Sequence, residues 1–139
     1  MKNSLEGKKA LVTGAAVRVG RAMALALAQA GCDVIVHYGQ SRIEAEETVT
    51  EIQKFGRKAL SLQADLRDLE APKVLAAAVK RAFHGLDILV NNASVYPATD
   101  KFEADHALHK ESLGDWELAL AVYARAPFFL IHHLAPLLA

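Results

Sequence analysis

Hydrophobic and polar residues follow two alternating patterns along the chain. Short apolar runs, typical of buried strands, alternate with longer segments whose apolar residues recur every three or four positions, as in helices. The four predicted strands are Lys9–Thr13, Asp33–Tyr38, Lys58–Gln63 and Asp87–Asn91. Because a helix follows each strand, we expect an α/β fold of the Rossmann type. It would be a doubly wound parallel sheet with strand order 3-2-1-4.

Residues at the helix ends support this division. The first helix is expected to end at Gly31, the second to begin with a capping box at Ser41–Glu44, and the third to end at His84-Gly85. The residues predicted to face the core from the first helix are Val19, Met23, Ala26, Leu27 and Ala30.

The pattern is weaker after the fourth strand. The segment from Val95 to Gly114 is expected to be a solvated loop, and His106 and His109 within it lack a third residue that would complete a metal site. A last helix is predicted from about Asp115, with Trp116 in core or edge packing and a kink at Pro127.

Composition bounds the class of protein. The 139 residues are 53% hydrophobic and carry 16 basic and 16 acidic residues, for a formal net charge of zero. This balance favours a single cytoplasmic domain over residues 1–139, and it argues against nucleic acid or an anionic membrane as a partner. No apolar stretch approaches the roughly 18 residues of a membrane span. Cys32 stands alone, so we expect a buried free thiol.

Three motifs carry the functional information. Thr13-Gly14-Ala15-Ala16-Val17-Arg18-Val19-Gly20 joins a strand to a helix N-terminus, an arrangement that binds phosphate groups. Ala64-Asp65-Leu66 and Leu89-Val90-Asn91-Asn92-Ala93-Ser94 follow the third strand and end the fourth. Together they resemble the short-chain dehydrogenase/reductase family over essentially the whole chain. They are most similar to its pteridine-reductase-like branch, with Arg at the middle glycine of T-G-x-x-x-G-x-G and N-N-A-S in place of N-N-A-G.

The resemblance implies a dinucleotide site at the carboxyl ends of the strands. Asp65 would bond the adenine, with capping of the next helix as the alternative, and Asn91 would hold a ribose. The implied cofactor-binding residues are Thr13, Gly14, Ala16, Arg18, Val19, Gly20, His37, Tyr38, Ser41, Asp65, Leu66, Asn91, Ala93 and Ser94.

The end of the second strand predicts which nucleotide binds. NAD-binding enzymes place a carboxylate there for the ribose hydroxyls, whereas this chain has no acid before Glu44. Arg18 and Ser41 beside a helix N-terminus suit a 2′-phosphate, so we expect NADP(H). Relatives often have a second Arg at the position of Gln40, and Arg42 is the candidate substitute here.

The resemblance also suggests a substrate. Ser94 and Tyr96 occupy positions that contact the pterin in pterin-reducing relatives, which implies a pterin- or dihydrofolate-like substrate. Alternatively, Tyr96 only packs the loop, and the parent protein reduces another carbonyl or acyl compound.

Two departures from the family limit the prediction of activity. Tyr123 replaces the Asn of the V-N-x-x-A-P stretch, and no Tyr-x-x-x-Lys occurs in the 139 residues. The resemblance therefore implies the N-terminal part of an oligomeric NADPH-dependent oxidoreductase, an incomplete dinucleotide-binding domain that is inactive alone. No residue here is assigned to catalysis. A non-catalytic NADP(H)-binding module and a non-binding remnant are the alternatives. The apolar strand Leu86–Val90, expected to lack a neighbour on one side, predicts self-association.

Overall fold

A computed structural model describes residues 4–95 and 112–138. Its four parallel strands are β1 (Lys9–Val12), β2 (Asp33–Tyr38), β3 (Ala59–Gln63) and β4 (Ile88–Val90). They form one sheet in the order β3-β2-β1-β4, which confirms the predicted Rossmann-type topology. The strand ends lie within one residue of the predicted ones.

Helices cover both faces of this sheet. Helices α1 (Arg18–Gln29) and α2 (Arg42–Lys54) pack on one face, where Val12 and Val34 meet Ala24, Ala28 and Ile52. Helix α3 (Ala71–Phe83) and the C-terminal helix pack on the other, where Leu11 and Ile35 meet Leu75, Val79 and Leu130. Because neighbouring β1 residues point to opposite faces, one short strand contributes to both cores.

The predicted inward face of α1 is wrong for Val19, Met23 and Ala26, whereas Leu27 packs partly buried against the core. The buried residues are Gly20, Ala24 and Ala28, whereas Val19 is 60% and Met23 40% exposed. A stripe of small residues lets α1 approach the sheet closely, and Leu25 and Leu27 pack partly buried beside that stripe. The hydrophobic pattern alone favoured the larger residues.

The capping box predicted at Ser41–Glu44 is also absent. Helix α2 begins at Arg42 as expected, but Ser41 has φ −81° and ψ 64° and its side chain makes no capping hydrogen bond. An N-cap side chain reaches the first-turn amides from an extended backbone, which Ser41 does not adopt. The end of α3 is confirmed at His84, which has left-handed φ of 57°.

The C-terminal helix has four consecutive parts. They are α4 (Leu113–Leu120), a π-helical turn (Ala121–Arg125), α5 (Ala126–Leu134) and a 3₁₀ turn (Ala135–Leu137). Its start precedes the predicted Asp115, because Ser112 and Asp115 form a capping box. The predicted disturbance at Pro127 takes the form of the π turn. Proline lacks an N–H and crowds the carbonyl four residues earlier, and the wider π turn relieves this contact.

Much of the C-terminal helix surface is exposed. Trp116 is 63% exposed, so its predicted packing role is wrong, and α4 has no buried residue. Residues Leu113–Leu137 form a helical span of 25 residues whose apolar window has mean hydropathy 1.4, long and apolar enough to cross a membrane. This corrects the expectation that no stretch approaches that length. However, Ala126, Leu130 and Leu134 on one side pack on α3.

Two residues before β4, the chain makes an isolated bridge to its C-terminal residues. Leu86 pairs with Leu138 in an isolated parallel bridge, and the Leu86 amide donates to the Leu137 carbonyl at 2.9 Å. The predicted self-association at the outer edge of β4 stays a prediction. Tyr96, His106 and His109 lie outside the described residues, and Cys32 is fully buried as expected.

Candidate functional site

An open cleft of about 810 Å³ lies at the carboxyl ends of all four strands. Its wall is formed by the turn after β1, the end of β2, the loop after β3, the segment after β4 and two residues of the C-terminal helix. The cleft brings together most of the predicted cofactor residues. Those lining it are Gly14, Ala16, Arg18, Val19, Gly20, His37, Tyr38, Ser41, Asp65, Leu66, Ala93 and Ser94. Thr13 and Asn91, which were also predicted, are outside this lining.

Glycine is required at two positions of the β1–α1 turn. Gly14 has φ of +63°, and a Cβ added there would lie 2.8 Å from the Ala93 Cα. A Cβ on Gly20 would lie 2.1 Å from the Gly14 carbonyl oxygen and 2.4 Å from Asn92 Nδ2. The turn therefore folds tightly against the segment after β4. The amides of Arg18, Val19 and Gly20, in the first turn of α1, have no intrahelical acceptor.

Thr13 and Asn92 connect β1 to the segment after β4. Thr13 Oγ1 accepts hydrogen bonds from the backbone amides of Asn92 and Ala93, both at 3.0 Å, and lies 3.3 Å from the Val90 carbonyl. Asn92 Nδ2 donates to the carbonyls of Thr13 and Gly14 at 3.1 and 3.2 Å. Thr13, predicted as a cofactor contact, thus supports the wall of the cleft from behind.

His37 also supports the turn through both ring nitrogens. Gly14 N–H donates to Nδ1 at 3.1 Å, and Nε2 lies 3.0 Å from the Ala64 carbonyl. The side chain is buried, and burial lowers the pKa of His37 below its usual value. Its ring nitrogens are therefore engaged with the protein backbone.

The second positive-φ position of the turn is Arg18. Its φ is +52°, a conformation that glycine adopts most easily, and this is the position where the family pattern has its middle glycine. Among the described residues, the Arg18 guanidinium has no ion-pair or hydrogen-bond partner. Its side chain lines the cleft together with Gln40 and Ser41. The chain thus places a cation at the cleft in a conformation that costs an Arg of the order of 1–3 kcal/mol.

The missing capping bond leaves the Ser41 hydroxyl free of the helix at a position that lines the cleft. The hydroxyl is not used to cap α2, so it remains at the helix N-terminus beside the Arg18 side of the cleft. Arg42, the candidate substitute for a second cleft Arg, instead pairs with Glu46 through Nε and Oε1 at 2.8 Å. Arg18 and Ser41 are therefore the groups available here for an anion.

Asp65 lies in the loop after β3 with its carboxylate already paired. It accepts from the backbone amide of Arg67 at 3.0 Å and from the Arg67 guanidinium at 2.6 to 3.0 Å. The Arg67 hydrogen bonds lower the pKa of Asp65. Asp65 does not cap α3, since its backbone contact lies before the helix begins. The hydrogen bond between Asp65 and adenine stays a prediction. If it forms, the carboxylate would bond the adenine and Arg67 at the same time.

The sequence profile of the short chain dehydrogenase family matches residues 8–139, nearly the entire chain. The chain belongs to this family. The 2-dehydro-3-deoxy-D-gluconate 5-dehydrogenase of Escherichia coli K12 is 40% identical over 128 residues, which are 91% of this chain and 46% of that protein. This short-chain dehydrogenase sequence thus spans about half the length of the curated relatives it matches.

Solved structures of the family show the same architecture. A short chain dehydrogenase from Burkholderia cenocepacia J2315 in complex with NADP is 38% identical with a TM-score of 0.87, covering 97% of this chain and 52% of that one. The landomycin C-6 ketoreductase with bound NADP and rabelomycin is 35% identical with a TM-score of 0.84, covering 96% of this chain and 54% of that one. Both of these structural neighbours of this short-chain dehydrogenase are complexes with NADP. The names of the Escherichia coli dehydrogenase and of the landomycin ketoreductase indicate substrates other than pterins, and the pteridine-reductase-like branch stays a prediction.

Tyr123, the family's Asn position, has a defined role in this structure. Its hydroxyl donates to the Val95 carbonyl at 2.6 Å and accepts from the Val95 amide at 3.2 Å. Tyr123 lies in the π turn, so one side chain connects the C-terminal helix to the end of the segment that lines the cleft. The sequence marks Tyr123 as a departure from the family pattern but does not reveal this contact. A phenol hydroxyl can both donate and accept a hydrogen bond, as the Asn side chain of the family pattern can. This shared capacity is the one feature of the sequence that indicates such a contact.

Proposed function

We propose that this chain is the NADP(H)-binding part of a short-chain oxidoreductase that reduces a carbonyl compound with NADPH. The observation that carries the proposal is the anion site formed by Arg18, Ser41 and the first turn of α1, at a sheet edge where β2 ends without a carboxylate. The activity of the whole protein belongs to the proposal, because the chain spans about half of its relatives.

The residues present fit the nucleotide. Gly14 and Gly20 leave no room for side chains between the turn and the segment after β4, and the first-turn amides of Arg18, Val19 and Gly20 have no acceptor within the helix. Those amides and the positive end of the α1 dipole suit a diphosphate. Arg18 and Ser41 suit the additional 2′-phosphate.

The chemistry divides between the nucleotide and the protein. Bound NADPH supplies a hydride, and the residues described here bind and orient it. Ala93, Ser94 and Val95, with Leu118 and Val122 from the C-terminal helix, form the neighbouring wall where a substrate would approach. That wall is largely apolar, which suits an organic carbonyl compound.

The nucleotide preference can be tested with one substitution at a strained position. Arg18→Gly removes the guanidinium but keeps the backbone conformation, so the fold should be preserved or slightly stabilised. By isothermal titration we expect NADPH binding to weaken about tenfold to a hundredfold, the value of a lost charge-assisted bond, and NADH binding to change little. Arg81→Ala removes an exposed cation on α3 outside the cleft and serves as the control. Equal loss for both nucleotides would contradict the 2′-phosphate role.

The narrower proposal of a pterin substrate rests on Ser94 and on Tyr96. Ser94 is exposed at the cleft, whereas Tyr96 is outside the described residues. The test compares a pterin, a dihydrofolate and a simple ketone in NADPH oxidation by the whole protein of which this chain is a part, with and without Tyr96→Ala. Pterin turnover that Tyr96→Ala abolishes, while ketone turnover persists, would support it. Ketone turnover alone would favour the broader carbonyl reductase.

A further inference from the structure

We propose that His37 is a positioning residue of the nucleotide site: its neutral ring, with the hydrogen on Nε2, links the β1–α1 turn to the loop after β3, and protonation of that ring weakens nucleotide binding. The inference rests on the proposed function, since NADP(H) is the ligand considered.

The two hydrogen bonds of the ring define its protonation state. The Ala64 carbonyl, 3.0 Å from Nε2, can only accept, so Nε2 carries the hydrogen. The Gly14 amide, 3.1 Å from Nδ1, can only donate, so Nδ1 is unprotonated. The ring has three possible states, two neutral tautomers and the cation. The neutral tautomer with its hydrogen on Nε2 is the one that satisfies both the Ala64 and the Gly14 hydrogen bonds. The side chain is 2% exposed, so solvent cannot replace either partner easily.

One residue thereby holds two successive amides of the turn. The backbone carbonyl of His37 accepts from Ala15 N–H at 2.9 Å, while its ring accepts from Gly14 N–H. Fixing these two amides inward sets the direction of the following residues, which lead into the first turn of α1. Protonation would place an Nδ1–H against the Gly14 N–H, and Gly14 has little room to move because it packs against Ala93.

The neighbouring elements offer no compensation for a buried positive charge. The ionisable groups on the elements around the ring are Asp33 and Tyr38 on its own strand, Arg18 on the turn, and Asp65, Arg67, Asp68 and Glu70 on the loop. Asp65 and Arg67 are paired with each other. Burial, not a charged neighbour, is the main cause that lowers the pKa of His37 from 6.5, opposed by the Ala64 hydrogen bond. The contribution of His37 to folding stability is therefore complete above pH 6.5, the ordinary pKa of the unfolded state. It declines as the pH falls from there toward the lower pKa of the folded state.

The test combines a direct observation of the ring with binding measurements. Nitrogen-15 NMR of histidine side chains in the purified protein should show His37 as the Nε2–H tautomer at neutral pH, with a pKa below 6.5. Fluorescence titration should show NADPH affinity nearly constant above pH 6.5 and falling as the pH drops below that value, where the buried ring becomes protonated. In His37→Asn, which cannot be protonated and keeps an acceptor near Gly14, affinity at neutral pH should be about two- to tenfold weaker. Its pH dependence should be reduced to that of the ligand's own phosphate.

His84→Asn is the matched control, since His84 is exposed and its left-handed backbone tolerates Asn. It should keep the wild-type pH dependence. An Nδ1–H tautomer, an ordinary pKa, or equal pH dependence in the wild type and His37→Asn would overturn the inference while leaving nucleotide binding intact. Failure of the wild-type protein to bind NADPH at neutral pH would overturn the proposed function and this inference together. If His37→Asn does not fold, the NMR result on the wild-type protein decides.

Discussion

The carboxyl ends of the strands and the C-terminal helix are held in place in different ways. Around the cleft, Thr13, His37 and Asn92 each make two or more hydrogen bonds that connect neighbouring loops, and two glycines allow the backbones to touch. The C-terminal helix is held by one buried apolar seam, which consists of Ala126, Leu130 and Leu134. A few polar contacts add to it, such as Tyr123 with Val95 and Arg125 with the Arg67 carbonyl.

This difference shows how one domain combines a rigid binding edge, formed by the residues at the carboxyl ends of the strands, with a less constrained C-terminal helix. Polar contacts between backbone groups fix atom positions narrowly, which a phosphate-binding turn requires. Apolar packing on one side of a helix supplies stability with looser geometry. The exposed side of that helix includes Trp116, Phe128 and Ile131, at 63%, 66% and 51% exposure.

Adding one methyl group at Gly20 should be the most damaging change at the binding edge. Gly20→Ala places a Cβ against backbone on one side and the Asn92 amide on the other, so the turn must open. We expect a loss of about 4 kcal/mol in the free energy of unfolding, measured by urea denaturation. Gly85→Ala is the control, since a Cβ there meets nothing within 4 Å. Similar losses for both variants would show that the turn is not tightly packed.

Truncation on the buried seam of the C-terminal helix should come next. Leu130 is fully buried against α3, so Leu130→Ala should cost about 3 kcal/mol by the same measurement. Phe128→Ala, on the exposed side of the helix, should cost less than about 0.5 kcal/mol. If the Phe128 variant loses more than the Leu130 variant, the exposed side is packed in solution and the contrast between the regions is wrong.

Removing one hydroxyl at the binding edge should have an intermediate effect. Thr13→Val keeps the shape of the side chain but leaves the Asn92 and Ala93 amides without their acceptor. We expect a loss of about 2 kcal/mol, together with weaker NADPH binding because these amides shape the cleft wall. Thr50→Val, on the exposed surface of α2, should leave both quantities nearly unchanged. An unchanged stability for Thr13→Val would mean that water replaces the hydroxyl.

The smallest effect is expected at the contact between the regions. Tyr123→Phe removes the hydroxyl that bonds both backbone groups of Val95, but the side chain is 52% exposed and water can take its place. A loss of under about 1 kcal/mol is expected, with faster hydrogen exchange at the Val95 amide. Unchanged exchange at Val95 would show that Tyr123 does not hold this segment in solution.

The two regions also differ in how far the sequence predicted them. The alternation of strands and helices and the nucleotide turn follow from local signals, since the apolar runs mark the strands and Gly14, with φ of +63°, marks the turn. The supporting role of His37 depends on a partner 27 residues away, which spacing does not reveal. The C-terminal helix was less predictable. Its N-cap at Ser112 uses Asp rather than Glu at the third position, and the exposure of Trp116 depends on tertiary packing.

The most direct test that the nucleotide binds at the first turn of α1 is backbone hydrogen exchange with and without NADPH. Without nucleotide, the amides of Gly14 and Ala15 should be protected by His37, while those of Arg18, Val19 and Gly20 exchange quickly. NADPH should protect these three first-turn amides and leave the buried seam of α5 unchanged. Binding of NADPH with no added protection at Arg18, Val19 and Gly20, or with protection confined to the C-terminal helix, would contradict the account.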